Sequence, residues 1–197
     1  MKPMIRGNIC LNAHPEGCAA MVENWIARAK ADAPAMTAAA LAAGRPLPRA
    51  TLVLGCSTGY GLASRIAAAF GCGAATVGVS LEREPSDKKA GTPGWYDNRA
   101  FDAACTRDGL FSATIDADAF ADATRAAVVA LARECGLVFD QVVYSLASPV
   151  RVDPATGVMH RSVLKPLGEP FTGRTFDVVD GRDRKSTRLN SSHRLLS

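Results

Sequence analysis

Ten consecutive residues, Gly55-Cys56-Ser57-Thr58-Gly59-Tyr60-Gly61-Leu62-Ala63-Ser64, are the part of this chain best suited to chemistry. They follow the short apolar run Thr51-Leu52-Val53-Leu54 and precede a stretch with helical spacing. Glycines between a buried strand and a helix let the backbone turn sharply and come close to a pyrophosphate, an approach that a side chain at Gly59 or Gly61 would obstruct. The exposed N–H groups and the positive dipole end of the helix then meet its negative charge. Such turns also arise for structural reasons alone, but strand, turn and helix together point to nucleotide binding.

Glu82 stands 27 positions after Gly55 and just past a second apolar run, Ala75 to Ser80. A carboxylate there would accept hydrogen bonds from ribose hydroxyls and repel a 2′-phosphate, favouring NADH over NADPH. Arg83, Lys88 and Lys89 lie near enough to weaken that preference, and a solvated loop glutamate is the plain alternative. Asp118-Ala119 follows the third strand, where related folds contact adenine. Leu146-Ala147 follows the fourth, where the chain passes the nicotinamide ribose. Asp118 would equally serve as a helix N-cap. Tyr144 reads as a strand residue, and Lys165 has no tyrosine at a short-chain reductase spacing, so neither is assigned to catalysis. His14 and His160 stand apart from any ligand series and read as loop or surface residues, and no metal site is expected.

The elements needed to position these residues alternate strand and helix from Ala50 onward. A helix over Gly59 to Phe70 precedes the Ala75–Ser80 strand, and an amphipathic stretch from Asn98 to Arg107 leads to a strand over Phe111 to Ile115. A long helical pattern opening at Asp118 then leads to Gln141-Val142-Val143-Tyr144-Ser145. This alternation predicts an α/β protein with a Rossmann-like doubly wound parallel sheet. Upstream, Ile5 to Leu11 is strand-like and Gly17 to Lys30 helical. The alanine-rich Ala31 to Pro48, broken by Pro34, Gly44 and Pro46, reads as a helical piece and connecting loop. Residues 1–49 are thus expected to form an appendage and linker, with the nucleotide-binding domain over 50–182.

Composition narrows the function classes. The chain has 197 residues, 48% hydrophobic, with six scattered cysteines that lack a C-x-x-C pair. Reduced thiols in the cytoplasm are the expectation. The net charge of +4 owes much to Arg184, Lys185, Arg188 and Arg194, so it does not argue for nucleic-acid binding. No segment is long and apolar enough for a signal peptide or membrane span. Asp183 to His193 is polar and aperiodic, and it is similar, codon for codon, to the translation of a common sequencing adapter. Residues 183–197 are therefore expected to be unstructured and foreign to the gene, making the rest a truncated enzyme.

Four ordered segments resemble one family. They are Gly55 to Ile66, Gly91-Thr92-Pro93-Gly94-Trp95-Tyr96, Asp118-Ala119-Phe120, and Val143-Tyr144-Ser145-Leu146-Ala147-Ser148-Pro149. Together they resemble the FabV-type trans-2-enoyl-CoA and enoyl-[acyl-carrier-protein] reductases, and Lys2 to Cys18 is similar to that family's N-terminal segment. Leu81 departs from the family, since many members carry an aromatic residue there. The resemblance implies that NADH is held by Gly55, Cys56, Ser57, Thr58, Gly59, Tyr60, Leu81, Glu82, Asp118, Ala119, Leu146 and Ala147. It also implies reduction of an enoyl thioester carried by coenzyme A or acyl carrier protein. In the family a tyrosine followed nine positions later by a lysine stabilises the enolate and supplies the proton. No tyrosine follows Tyr144, so no catalytic residue is expected in this chain. A short-chain carbonyl or hydroxyacyl dehydrogenase would share fold and cofactor, but the Tyr144–Pro149 segment argues against it. A non-catalytic nucleotide-binding module is the other alternative.

Overall fold

The computed structural model describes residues 4–6, 9–11, 13–87, 89–146, 148, 150–162, 171–177 and 181–188. The chain divides into two compact units. One comprises Ala13–Ser148 and Val152–Val158, and the other comprises Met1–Asn12, Pro149–Arg151 and Met159–Ser197.

In the second unit, β1 (Met4–Arg6) pairs antiparallel with β2 (Ile9–Leu11). The first unit opens with α1 (Pro15–Ala42), which is capped by His14, whose Nδ1 accepts from Gly17 N at 3.0 Å. The histidine expected to be an uninformative loop residue thus stops the chain fraying at a proline-started helix. The helix runs unbroken through Pro34, against the expected break in the alanine-rich stretch. Proline there removes one N–H donor, and the high helix propensity of the surrounding alanines carries the helix past it. Nor is this segment an appendage. Val22 and Ile26 are fully buried in one core with Leu62, Ile66, Ala69, Phe70, Phe101, Ala104 and Cys105. Sequence periodicity exposes an apolar face but not the face that covers it.

The sheet that follows is parallel. Its strands are β3 (Ala50–Leu54), β4 (Ala75–Ser80), β5 (Ser112–Asp116) and β6 (Gln141–Tyr144), in the order β5-β4-β3-β6. The connections are α2 (Gly59–Ile66), extended by a π-helical turn over Ala67–Gly71, then α3 (Pro93–Arg107) and α4 (Asp122–Glu134). With the right-handed crossovers that parallel strands adopt, α2 and α3 lie on one face and α4 on the other. The Rossmann-like class expected from the alternation is what the chain forms. Helix α3 starts five residues before the expected amphipathic stretch because Pro93 occupies its first turn, where the missing N–H costs nothing.

Across the core, Arg65 of α2 is wholly buried. Its Nη2 meets Asp102 Oδ1 of α3 at 3.2 Å and Ala113 O of β5 at 2.8 Å. Nη1 donates to Thr114 Oγ1 at 2.8 Å, and the guanidinium lies 4.4 Å from the centre of the Phe101 ring. Ser112 and Thr114 hydroxyls also donate to Asp102. The buried charge is therefore both paired and hydrogen-bonded, as its desolvation requires.

After β6 come β7 (Val150–Val152) and β8 (Met159–Arg161), which pair with each other. Then β9 (Phe171–Asp177) and β10 (Arg182–Arg188) pair antiparallel in register from Asp177↔Arg182 to Phe171↔Arg188. The expectation of an unstructured tail from residue 183 does not hold over Asp183–Arg188. The pairing uses backbone N–H and C=O groups, which polar side chains carry as well as apolar ones, and Gly181, with φ 63°, eases the reversal. Residues 189–197 lie outside the described residues.

Candidate functional site: a glycine turn at the carboxyl edge of the sheet

Strand order reverses between β3 and β6, and the turn after β3 lies at that switch point, where open α/β sheets form a crevice. Gly55 has φ 85°, and a Cβ there would lie 2.2 Å from Ser145 O, directly after β6. Only glycine lets the two strand ends approach so closely. Gly61 answers to a different constraint, since its Cβ would fall 1.8 Å from Gly55 O. The sequence suggested that Gly61 clears a path for the ligand, whereas it packs α2 onto the turn. Gly59 has φ 56°, and a Cβ there would meet no atom within 4 Å, so the approach to α2 stays open.

The N–H groups divide into two sets. Those of Gly55 and Cys56 donate to Val79 O at 2.8 and 3.2 Å and so tie the turn to β4. The first helical bond of α2 runs from Leu62 N to Thr58 O at 3.3 Å, so the preceding N–H groups have no intrahelical acceptor. The Thr58 side chain does not cap them. An anion at Thr58, Gly59 and Tyr60 would meet these donors and the helix dipole. Thr58, Gly59 and Tyr60 are exposed, whereas Cys56 is wholly buried and Ser57 nearly so.

Ser57 Oγ donates to Glu82 Oε1 at 2.5 Å, which brings the turn and the loop after β4 together. Gly94, in the first turn of α3, closes the arrangement, because a Cβ there would be 2.3 Å from Glu82 Oε1 and 2.7 Å from Ser57 Cβ. Beyond Glu82 a cavity of about 340 Å³ is lined by Glu82, Arg83, Glu84, Trp95 and Asp116. Leu81 is largely exposed at the same edge.

Asp118 corrects the sequence reading. It does not cap α4, which begins at Asp122 behind Ala121. Its Oδ1 accepts from Phe120 N at 2.9 Å and its carbonyl accepts from Ala121 N at 3.0 Å, forming a local turn between β5 and α4. An aspartate that bonds its own loop offers the chain an alternative to starting a helix. Asp118 remains exposed with Ala119 beside it, past the end of β5. Leu146 lies near the turn, its Cδ2 3.3 Å from the position a Gly55 Cβ would take. Ala147 falls outside the described residues.

Two buried residues on α3 were not singled out from sequence as site residues. Asp97 is 1% exposed and its Oδ1 has no hydrogen-bond partner among the described residues. Burial raises its pKa to about 6, with a hydrogen bond from Cys18 pulling it down and the nearby Glu82 charge adding to the rise. Burial first, and then Asp97 itself, pushes the Cys18 thiol up to about 11. Asn98 is wholly buried. Both lie in the first turns of α3, which Pro93-Gly94 disguises as a loop in the sequence.

A parallel sheet of this order with a glycine turn at its switch point defines a Rossmann-type α/β protein. Residues 1–87 match the NAD(P)H binding domain of trans-2-enoyl-CoA reductase, and residues 89–192 match the trans-2-enoyl-CoA reductase catalytic region. The chain belongs to the trans-2-enoyl-CoA reductase family. It is 58% identical over 181 residues to trans-2-enoyl-CoA reductase [NADH] of Treponema denticola, covering 92% of this chain and 45% of that protein. It is 52% identical over 176 residues to enoyl-[acyl-carrier-protein] reductase [NADH] of Tolumonas auensis, covering 89% of this chain and 42% of the relative. Among solved structures, the Treponema denticola reductase in complex with NAD superposes with a TM-score of 0.86 at 55% identity, over 97% of this chain and 47% of that one. The Clostridium acetobutulicum trans-2-enoyl-CoA reductase in complex with NADH superposes with a TM-score of 0.81 at 33% identity, over 97% of this chain and 46% of that one. The chain thus spans less than half the length of these relatives. Among the described residues, no helix is long and apolar enough to cross a membrane.

Proposed function

We propose that this chain is the cofactor-binding portion of an NADH-dependent reductase acting on the 2,3 double bond of trans-2-enoyl thioesters carried by coenzyme A or acyl carrier protein. The observation that carries the reading is the placing of Gly55, Gly59 and the uncapped start of α2 at the switch point, with Glu82 held beside them by Ser57. In this arrangement the N–H groups at Thr58, Gly59 and Tyr60 take the pyrophosphate, with Gly55, Cys56 and Ser57 shaping the turn beneath. Glu82 takes the adenosine ribose beside Leu81, Asp118-Ala119 borders the adenine, and Leu146-Ala147 borders the nicotinamide ribose. NADH, when bound, supplies a hydride to the β-carbon of the acyl chain. The residues of this chain bind and orient the dinucleotide. A cytosolic setting accords with free thiols at Cys18, Cys56, Cys72, Cys105 and Cys135.

Fluorescence titration of the purified chain with NADH and with NADPH tests the proposal. Saturable binding with NADH tighter than NADPH is expected. Binding of neither, by a chain that circular dichroism shows folded, would overturn it.

A further inference from the structure

Beneath the glycine turn a row of buried polar groups runs toward the carboxyl edge of the sheet. Arg65 Nη1 donates to Cys56 Sγ at 3.8 Å, and that thiol donates to Asn98 Oδ1 at 3.6 Å. Asn98 Nδ2 donates to Ser80 Oγ at 2.9 Å, and Ser80 Oγ donates to Asp116 Oδ1 at 3.3 Å. Arg65, Cys56 and Asn98 are wholly buried, and Ser80 nearly so. The two ends set the direction, because a guanidinium only donates and a carboxylate only accepts. Burial pushes the Cys56 thiol up, more than the opposing pull of Arg65, so the sulfur keeps the proton it donates. Gly78 of β4 leaves the necessary room: a Cβ there would lie 2.6 Å from Cys56 Sγ and 2.8 Å from Arg65 Cζ.

We propose that Asn98 is a positioning residue for the nucleotide. One side chain grips Cys56, inside the turn, and Ser80, at the end of β4 and two residues before Glu82. It thereby sets the separation between the part of the site that takes pyrophosphate and the part that takes ribose. An amide suits the position because it offers an acceptor to the thiol and a donor to the hydroxyl. Leucine has similar bulk and offers neither, which would deprive the buried Cys56 thiol of its acceptor and the buried Ser80 hydroxyl of one donor and free the turn to shift. The proposal rests on the reading that the turn and Glu82 hold the dinucleotide.

The test compares Asn98→Leu with Asp140→Ala in the full chain. Asp140 accepts from Arg49 N and Ala50 N at the amino end of β3, away from the turn, so its loss weakens the fold without touching the site. Hydrogen exchange at residues 57–61 is measured without nucleotide, and NADH affinity by fluorescence, with thermal midpoints recorded for both variants. At matched global stability, Asn98→Leu is expected to speed exchange at the turn and weaken NADH about tenfold, whereas Asp140→Ala does neither. Asn98→Asp keeps the size and the acceptor but loses the donor to Ser80, and it serves the same comparison if the leucine variant does not fold. Exchange at the turn and NADH affinity equal to those of the parent chain in Asn98→Leu, or in Asn98→Asp where the leucine variant does not fold, would overturn the proposal. If the parent chain binds no NADH, the functional reading fails, and exchange at the turn alone decides whether Asn98 holds it in place.

Discussion

Ser57 Oγ donates to Glu82 Oε1 at 2.5 Å, so the turn after β3 and the loop after β4 share one hydrogen bond. The bond occupies one carboxylate oxygen internally and aims the group across the site. Glu82→Ala is expected to narrow the preference for NADH over NADPH by removing both the ribose acceptor and the charge that repels a 2′-phosphate. Ser57→Ala should weaken NADH more mildly, by about fivefold, as the loss of one orienting bond worth about 1 kcal/mol implies. Titrations with both dinucleotides check this. A Glu82→Ala chain with an unchanged preference would remove the carboxylate from the site.

Gly59 and Gly61 should separate binding from stability. Gly61→Ala drives a methyl into the Gly55 carbonyl, a backbone atom that cannot step aside, and is expected to lower the thermal midpoint by an amount equivalent to roughly 1–3 kcal/mol. Gly59→Ala meets no atom and bears only the left-handed backbone cost of about 1–2 kcal/mol, but places its methyl where the ligand approaches. It should therefore lose more NADH affinity for each degree of midpoint lost. Melting curves beside titrations decide; identical ratios for the two variants would contradict the assignment.

Asp97 makes stability depend on mild acid. Its folded pKa of about 6 lies above the ordinary 3.8, so the folded chain holds the proton more tightly than the unfolded one. Stability from this group is full below the unfolded value and is lost as pH rises through about 6, by roughly 3 kcal/mol at most. Asp97→Asn should flatten that part of the profile and raise stability at neutral pH. Urea midpoints at pH 4.5 and 7.5 measure it, and a parent-like pH slope in the variant would show that another group is responsible.

The amino-acid order by itself determined the alternation of strand and helix, the glycine turn between β3 and α2, and the acidic residue after β4. Each depends on local rules: apolar runs make buried strands, glycine permits φ values other residues avoid, and helix starts attract anions. Tertiary structure alone decided which partners those elements found. The apolar stripe of α1 was legible, yet its burial against Phe101 and Leu62 was not, because many faces of equal hydrophobicity compete and periodicity does not rank them. Gly61 was legible as a constraint, but whether it made room for a ligand or for Gly55 depended on a contact 1.8 Å away in space. Asn98 and Arg65 looked like ordinary polar positions on helices. What they do follows from burial, which leaves a polar group no water to turn to and makes it seek partners that are distant in the chain.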